Sequence, residues 1–395
     1  MKQESTKRMS WMPVLHDTRD ARLMLLAMVC GVAVALTLLL VVFGGTKTNF
    51  EEAATFGAQT TSVFAKVGEY PIHCMDSRDD EACIAGARAR KAETSIVWLG
   101  NSQLHAVNQF HQGDTSATPL LFNLLSRRGL DLVTFSQPNA NLQEHYVLFE
   151  YLRGKLPLRM LILPVVFDDF REEGLRDDVA AFTRREATAL SLSETEVGRR
   201  LVASARVALP PDQATAGIAQ TMQEKAEKAL NAWLEQYSPL WAARPTMRGQ
   251  FFSGLYRLRN ASFGITATST RKMIPSRYSA NWSALQEILS TAARNRIGVL
   301  LYVAPLRSDG DIPYDKLEYS RFKVELEQVA KRNGAIYANL EALVPAPLWG
   351  LKDATGLAKE AELDFMHFQS GGHKILAARL DELVGDMLAN RGAKR

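Results

Sequence analysis

Cysteine is scarce, with three in 395 residues, which excludes a fold held together mainly by disulfides. No Cys or His has zinc-finger spacing, and His105 and His111, six positions apart, fall on different faces of a helix, so no metal site is expected. Long basic runs and interleaved aromatic and basic residues are also missing. Lys and Arg are scattered, with short pairs such as Arg199, Arg200 and Arg271, Lys272, and the formal net charge is only +4. Nucleic acid is therefore not an expected partner. A glycine-rich phosphate loop is absent as well, and no cofactor is expected. What remains is 47% hydrophobic and 23% charged, the balance of a packed globular body.

Apolar residues first gather at 23–43, a run of 21 without a charge, dominated by Leu and Val. As a helix rising about 1.5 Å per residue, this run just crosses a hydrocarbon core about 30 Å thick. A cleaved signal peptide is the alternative, but the run is longer than a signal core and no Ala-x-Ala site follows it. The reading is an uncleaved anchor. Lys2, Lys7, Arg8, Arg19 and Arg22 precede the run, and Lys47 alone follows closely, which assigns 1–22 to the cytoplasm and the body to the outer side. Cys30 lies within the span. Cys74 and Cys83, nine apart around a polar stretch, read as a local disulfide of an oxidising compartment rather than a metal site.

Residues 44–92 read as a juxtamembrane connector and 93–395 as the extracytoplasmic domain. Apolar strand patterns occur at Ser95-Ile96-Val97-Trp98-Leu99, at 131–135, at Met160-Leu161-Ile162-Leu163 closed by Pro164, at 299–303 and at Ala335-Ile336-Tyr337. Helix-compatible stretches alternate with them at 119–128, 142–152, 282–294, 315–331 and 372–389. Strands apolar throughout suit a parallel sheet covered on both faces. The alternation breaks at about 171–279, read as a helical insertion, in which Ser193 and Glu196 suggest a capping box. Ile218, Met222, Ala226, Leu230, Trp233 and Tyr237 there form a stripe, read as core packing, with a partner face as the alternative. The expected fold is α/β, a five-stranded doubly wound parallel sheet, with ligands beyond the carboxyl ends of its strands.

Gly100-Asn101-Ser102 follows the first strand directly. A serine on such a strand-to-helix turn presents its hydroxyl at the sheet's ligand edge, and a helix beginning there offers free N–H groups to an oxyanion; taken alone, Ser102 reads as an N-cap. Asp364-Phe365-Met366-His367 stands before the last helix. Three residues apart on a loop, the carboxylate can orient the imidazole as a general base toward a serine. Serine after the first strand combined with Asp-x-x-His before the last helix resembles the SGNH hydrolase superfamily from about residue 95 to the C-terminus. With the anchor, the Asp364-x-Met366-His367 block and Leu161-Ile162-Leu163-Pro164 followed by Phe167, the chain looks like the membrane-anchored SGNH proteins of teichoic-acid D-alanylation (the DltD type) and of polysaccharide O-acetylation. Asn101 replaces the usual Asp of the first block, and the superfamily's Gly-x-Asn-Asp block is not found. Asn139 and Asn141, in the loop after the second strand, are the oxyanion-donor candidates, with turn-forming asparagine as the alternative. Asp168 and Asp169 are read as solvated or as a helix start, and His145 and His373 as surface or packing residues.

The resemblance implies an SGNH/flavodoxin-like fold and a triad of Ser102, His367 and Asp364. It further implies a single-pass protein of a bacterial inner membrane that faces the periplasm and works beside a membrane-bound O-acyltransferase. The expected activity is O-acyl transfer to an extracytoplasmic glycopolymer. Two alternatives stand beside it: an esterase with the same triad, and a non-catalytic glycopolymer-binding or scaffold subunit.

Overall fold

Ser95–Gly100 is apolar or small along its whole length, and in the computed structural model of the protein it is an interior strand, buried at every position. The structure describes residues 59–91, 93–207, 257–357 and 360–392, with positions 26–28, Cys30, Gly31, Val34, Trp233 and Leu255. The chain divides into two units, Met1–Phe50 with Gln220–Phe251, and Glu51–Ala219 with Phe252–Arg395. In the first unit only 26–28, Cys30, Gly31, Val34 and Trp233 are described, all helical. Among the described residues no helix is long and apolar enough to cross a membrane. Most of the expected anchor, 23–43, and most of the stripe from Ile218 to Tyr237 lie outside the described residues.

The described strands, in chain order, are β1 (Thr60–Ser62), β2 (Lys66–Val67), β3 (Tyr70–Pro71), β4 (His73–Cys74), β5 (Ser95–Gly100) and β6 (Ala106–Asn108), followed by β7 (Asp131–Ser136), β8 (Leu158–Val165), β9 (Gly298–Val303), β10 (Ile336–Asn339), β11 (Trp349–Lys352) and β12 (Glu362–Phe368). Six of these form one parallel sheet in the order β10-β9-β8-β5-β7-β4. The five expected strands are all present and run second-first-third-fourth-fifth, so the winding reverses between β5 and β8. Such a reversal leaves a crevice at the carboxyl ends of the two strands. The sheet has six strands rather than the expected five. β4 is two residues long, too short to show a period, and is joined to the helix Asp80–Ala89 by the Cys74–Cys83 disulfide.

Alternate residues of β5 enter opposite cores. Val97 and Leu99 pack with Tyr146, Phe149 and Leu152 of the helix Leu142–Arg153 and with Leu285 and Ile288 of the helix Pro275–Arg294. Ile96 and Trp98 pack with Leu121 and Leu125 of the helix Ala117–Ser126 and with Leu376, Leu380 and Val384 of the last helix, Ser370–Gly392. Burying each such side chain contributes about 1.5–3 kcal/mol. Two covered faces explain why β5, β7 and β9 lack polar alternation.

Two local expectations are corrected. Pro164 does not end the third strand, which continues to Val165. Pairing with β5 stops at Ile162, so beyond it only β9 adjoins β8, and a residue without an N–H is tolerated. Ser193 does not cap the helix Glu196–Val207; it closes the preceding helix, Glu186–Ser193, donating to the Ala189 carbonyl at 2.7 Å. The cap is Thr195, whose Oγ1 accepts from Gly198 N–H at 3.0 Å. With the helix Asp177–Thr183, these make the expected insertion helical over most of 177–207, while its described residues 171–176 and 263–274 are turn and coil.

Candidate active site

Gly100 ends β5 where the chain must turn sharply. A Cβ there would lie 2.4 Å from Leu104 Cδ1 and 3.0 Å from Pro164 Cγ, so only glycine lets the turn seat against β8. The turn is a single 3-10 turn, Ser102–Leu104, capped by Asn101, whose Oδ1 accepts from Gln103 N–H at 3.0 Å. The expected helix start is thus one turn long, too short for a substantial dipole. Gln103, which the sequence did not single out, ties the turn down. Its Nε2 donates to the carbonyls of Pro305 and Met366, both at 2.9 Å.

The chain returns to this turn 265 residues later. β11 and β12 form an antiparallel ribbon outside the main sheet, and β12 carries both Asp364 and His367. Ser102 Oγ lies 2.9 Å from His367 Nε2, and His367 Nδ1 lies 2.9 Å from Asp364 Oδ2. All three residues are buried. Asp364 is saturated with donors. Its Oδ1 accepts the backbone N–H groups of Met366 at 2.9 Å and His367 at 3.0 Å, and its Oδ2 also accepts Asn108 Nδ2 at 3.0 Å. Burial pushes this carboxyl up, but the adjacent imidazole and these hydrogen bonds outweigh it and hold it below the ordinary value. The carboxylate therefore stays ionised, as a residue orienting an imidazolium must.

Asn108 is a second residue that the sequence did not reveal. It is fully buried at the end of β6 and also donates to the Leu351 carbonyl at 3.0 Å. Gly350 makes room for it, because a Cβ at 350 would fall 1.9 Å from Asn108 Oδ1.

The two adjacent aspartates after β8 differ from expectation. They occupy a 3-10 turn, Phe167–Phe170, as a helix start; Asp168 stays partly exposed, whereas Asp169 is not solvated. Asp169 is buried and accepts from Asn101 Nδ2 and Val166 N–H, both at 3.1 Å. Burial pushes its carboxyl up to about 8, beyond what those two hydrogen bonds offset. Asp168 accepts from Arg171 and Tyr314, each at 3.1 Å, and pairs with Arg271.

Asn141 caps the helix Leu142–Arg153, accepting from Gln143 and Glu144 N–H while its Nδ2 donates to the Gly174 carbonyl at 2.9 Å. Its amide is thus committed away from Ser102. Asn139, exposed and at a positive φ of 52°, lines the same cavity as Ser102. That cavity, about 540 Å³, lies over the crevice between β5 and β8 and is walled by Asp168, Arg259, Arg271, Tyr314, Lys352 and Met366 among others.

The other buried histidines, His73, His105, His145 and His373, pack rather than react. Ser136 Oγ lies 2.6 Å from both His73 Nε2 and His105 Nδ1. His373 contacts Ala117 N and the Ala106 carbonyl, each at 3.2 Å, and His145 is buried in its helix. Burial lowers the pKa of all four, to about 3 for His73 and His145 and about 4 for His373. Among the described residues no three His, Cys, Asp or Glu side chains gather as metal ligands.

No family model matches the chain, and no curated protein matches its sequence. Solved structures do. A Bacteroides fragilis chain designated an acylhydrolase matches 76% of this chain and 95% of its own length, at 9% identity and a TM-score of 0.34. A GDSL-like lipase of Bacteroides thetaiotaomicron matches 75% of this chain and 90% of its own, at 10% identity and a TM-score of 0.33.

Proposed function

We propose that the protein is an SGNH-type serine acyl-handling enzyme that transfers an O-acyl group to an extracytoplasmic glycopolymer. The observation that carries this reading is the continuous chain from Ser102 Oγ to His367 to Asp364, at 2.9 Å per link, placed where the sheet's winding reverses. His367 Nε2 takes the Ser102 hydroxyl proton as the oxygen attacks the acyl carbonyl carbon. The tetrahedral oxyanion is met by the Ser102 backbone N–H and, of the two candidate asparagines, by Asn139. Collapse breaks the bond to the donor's oxygen, which leaves with the proton from His367, and the acyl group stays as an ester on Ser102. An acceptor hydroxyl then gives its proton to His367, attacks the ester and restores the serine.

The anchor at 23–43 gives the transfer reading its support. Tethering raises the effective concentration of the domain at a membrane partner's outer face, the partner being a membrane-bound O-acyltransferase that brings the acyl group across the bacterial inner membrane. Hydrolysis is the second reading, favoured by the polar, solvent-connected cavity beside Ser102, which water can enter. A scaffold role is separated from both by one experiment. Ser102→Ala and His367→Ala each abolish labelling by a fluorophosphonate and phenyl acetate turnover, with the double variant no worse than either single one. Asp364→Asn retains more activity, because the base survives without its orienting carboxylate. Wild-type polymer acylation in cells carrying only Ser102→Ala would establish the scaffold reading instead.

A further inference from the structure

The cavity in front of Ser102 is lined by four cationic side chains, Arg171, Arg259, Arg271 and Lys352. Three have partners within the protein: Arg171 and Arg271 share Asp168, and Arg259 donates to Asn260 Oδ1 at 2.9 Å. Lys352 differs. It ends β11, on the ribbon whose other strand bears Asp364 and His367, and stands directly across from Glu362. The Glu362 carboxylate instead accepts from Thr355 Oγ1 at 2.5 Å. Among the described residues the Lys352 side chain makes no hydrogen bond and no ion pair, although Asp364, Glu362 and Asp168 all act on it through space.

Each of those acids is engaged elsewhere. Asp364 accepts four N–H donors, Asp168 holds two guanidinium groups and the Tyr314 hydroxyl, and Glu362 holds Thr355. The ammonium is half-buried, and burial lowers its pKa against the pull of Asp364. A partly desolvated cation gains more from an incoming anion than a solvated one does. Its three N–H donors are also free to turn toward a ligand.

We propose that Lys352 is the anion-recognition residue of this site, selecting esters with a negatively charged group close to the acyl linkage. The inference rests on Ser102 as the nucleophile and names the substrate class of that site. The charge can reside on the acyl group or on the alcohol, and the choice of probes separates the two.

The test uses full-length protein and three phenyl esters, with background hydrolysis subtracted. Phenyl acetate is neutral, monophenyl glutarate carries its carboxylate on the acyl side, and 4-acetoxybenzoate carries it on the leaving group. One anionic ester is expected to exceed phenyl acetate in kcat/KM by about tenfold, the scale of a half-buried ion pair. In Lys352→Met that ratio falls toward one, whereas Lys352→Arg keeps most of it. A ratio near one in the wild type, or an unchanged ratio in Lys352→Met, overturns the proposal and leaves the nucleophile assignment intact. Should no ester be turned over, the nucleophile reading fails, and calorimetry on Ser102→Ala decides the anion site alone. Equal affinity for the three esters there rejects it; tighter binding of one anionic ester, lost in Lys352→Met, upholds it.

Discussion

Gly350→Ala is expected to damage the triad without touching any of its members. A Cβ at position 350 would stand 1.9 Å from Asn108 Oδ1, while ordinary contacts begin at 3.4 Å, so Asn108 or the ribbon must move by more than an ångström. Asn108 is fully buried, and its Nδ2 donates to both Asp364 Oδ2 and the Leu351 carbonyl at 3.0 Å. A hydrogen bond to a charged group contributes about 1.5–3 kcal/mol. If that support is felt mainly when His367 becomes an imidazolium, its loss slows turnover roughly 10- to 150-fold. The assay is phenyl acetate turnover, with thermal unfolding recorded alongside. Because Gly350→Ala acts through Asn108, the double variant with Asn108→Ala should be no slower than Asn108→Ala alone. Wild-type turnover in a folded Gly350→Ala protein, or fully additive losses in the double variant, would refute the reasoning.

Acid should destabilise the domain steeply. His73, His105, His145 and His373 are buried with lowered pKa values, so below pH 6.5 the unfolded chain binds protons that the folded chain refuses. The stability these groups leave intact above pH 6.5 is lost as pH falls toward 4, by about 1.4 kcal/mol per pH unit for each histidine. His145→Gln, remote from the triad, should flatten the fall of the unfolding midpoint between pH 6 and 4 by one histidine's share; an unchanged slope counts against a neutral buried His145. Removing the Cys74–Cys83 bond by Cys83→Ala should cost about 2–3 kcal/mol in denaturant unfolding, the loop entropy for a separation of nine. A loss below 1 kcal/mol would mean that β4 is held by the sheet alone. Reporter fusions after Arg395 should be active only outside the cytoplasm, and a body exported without 1–43 should acylate polymer poorly while remaining folded. Full acylation by that untethered form would replace the transferase reading with hydrolysis.

The sequence by itself determined the five principal strands, the crossover helices and the Asp364–His367 pair. The reason is that these signals are local. A strand covered on both faces must be apolar throughout, as Ser95–Gly100 is, and a carboxylate can orient an imidazole three residues away, although the two lie on a strand and not on the expected loop. Tertiary structure decided the rest. β4 is two residues long and exists only because β7 offers an edge and Cys83 an anchor. Pro164 reads as a stop, yet β8 runs past it because β5 no longer pairs there. Asn139 and Asn141 look alike in sequence, but the helix beginning at Leu142 commits Asn141 to its own N–H groups and leaves Asn139 at the cavity. Gln103, Asn108 and Gly350 carry no sequence signal, because each acts through a partner on another element, and Lys352 carries none because the fold alone puts it in the cavity. Only closing the chain from β5 to β12 brings a serine within 2.9 Å of an imidazole 265 residues away and sets an ammonium without an ion pair, among the described residues, in the same cavity.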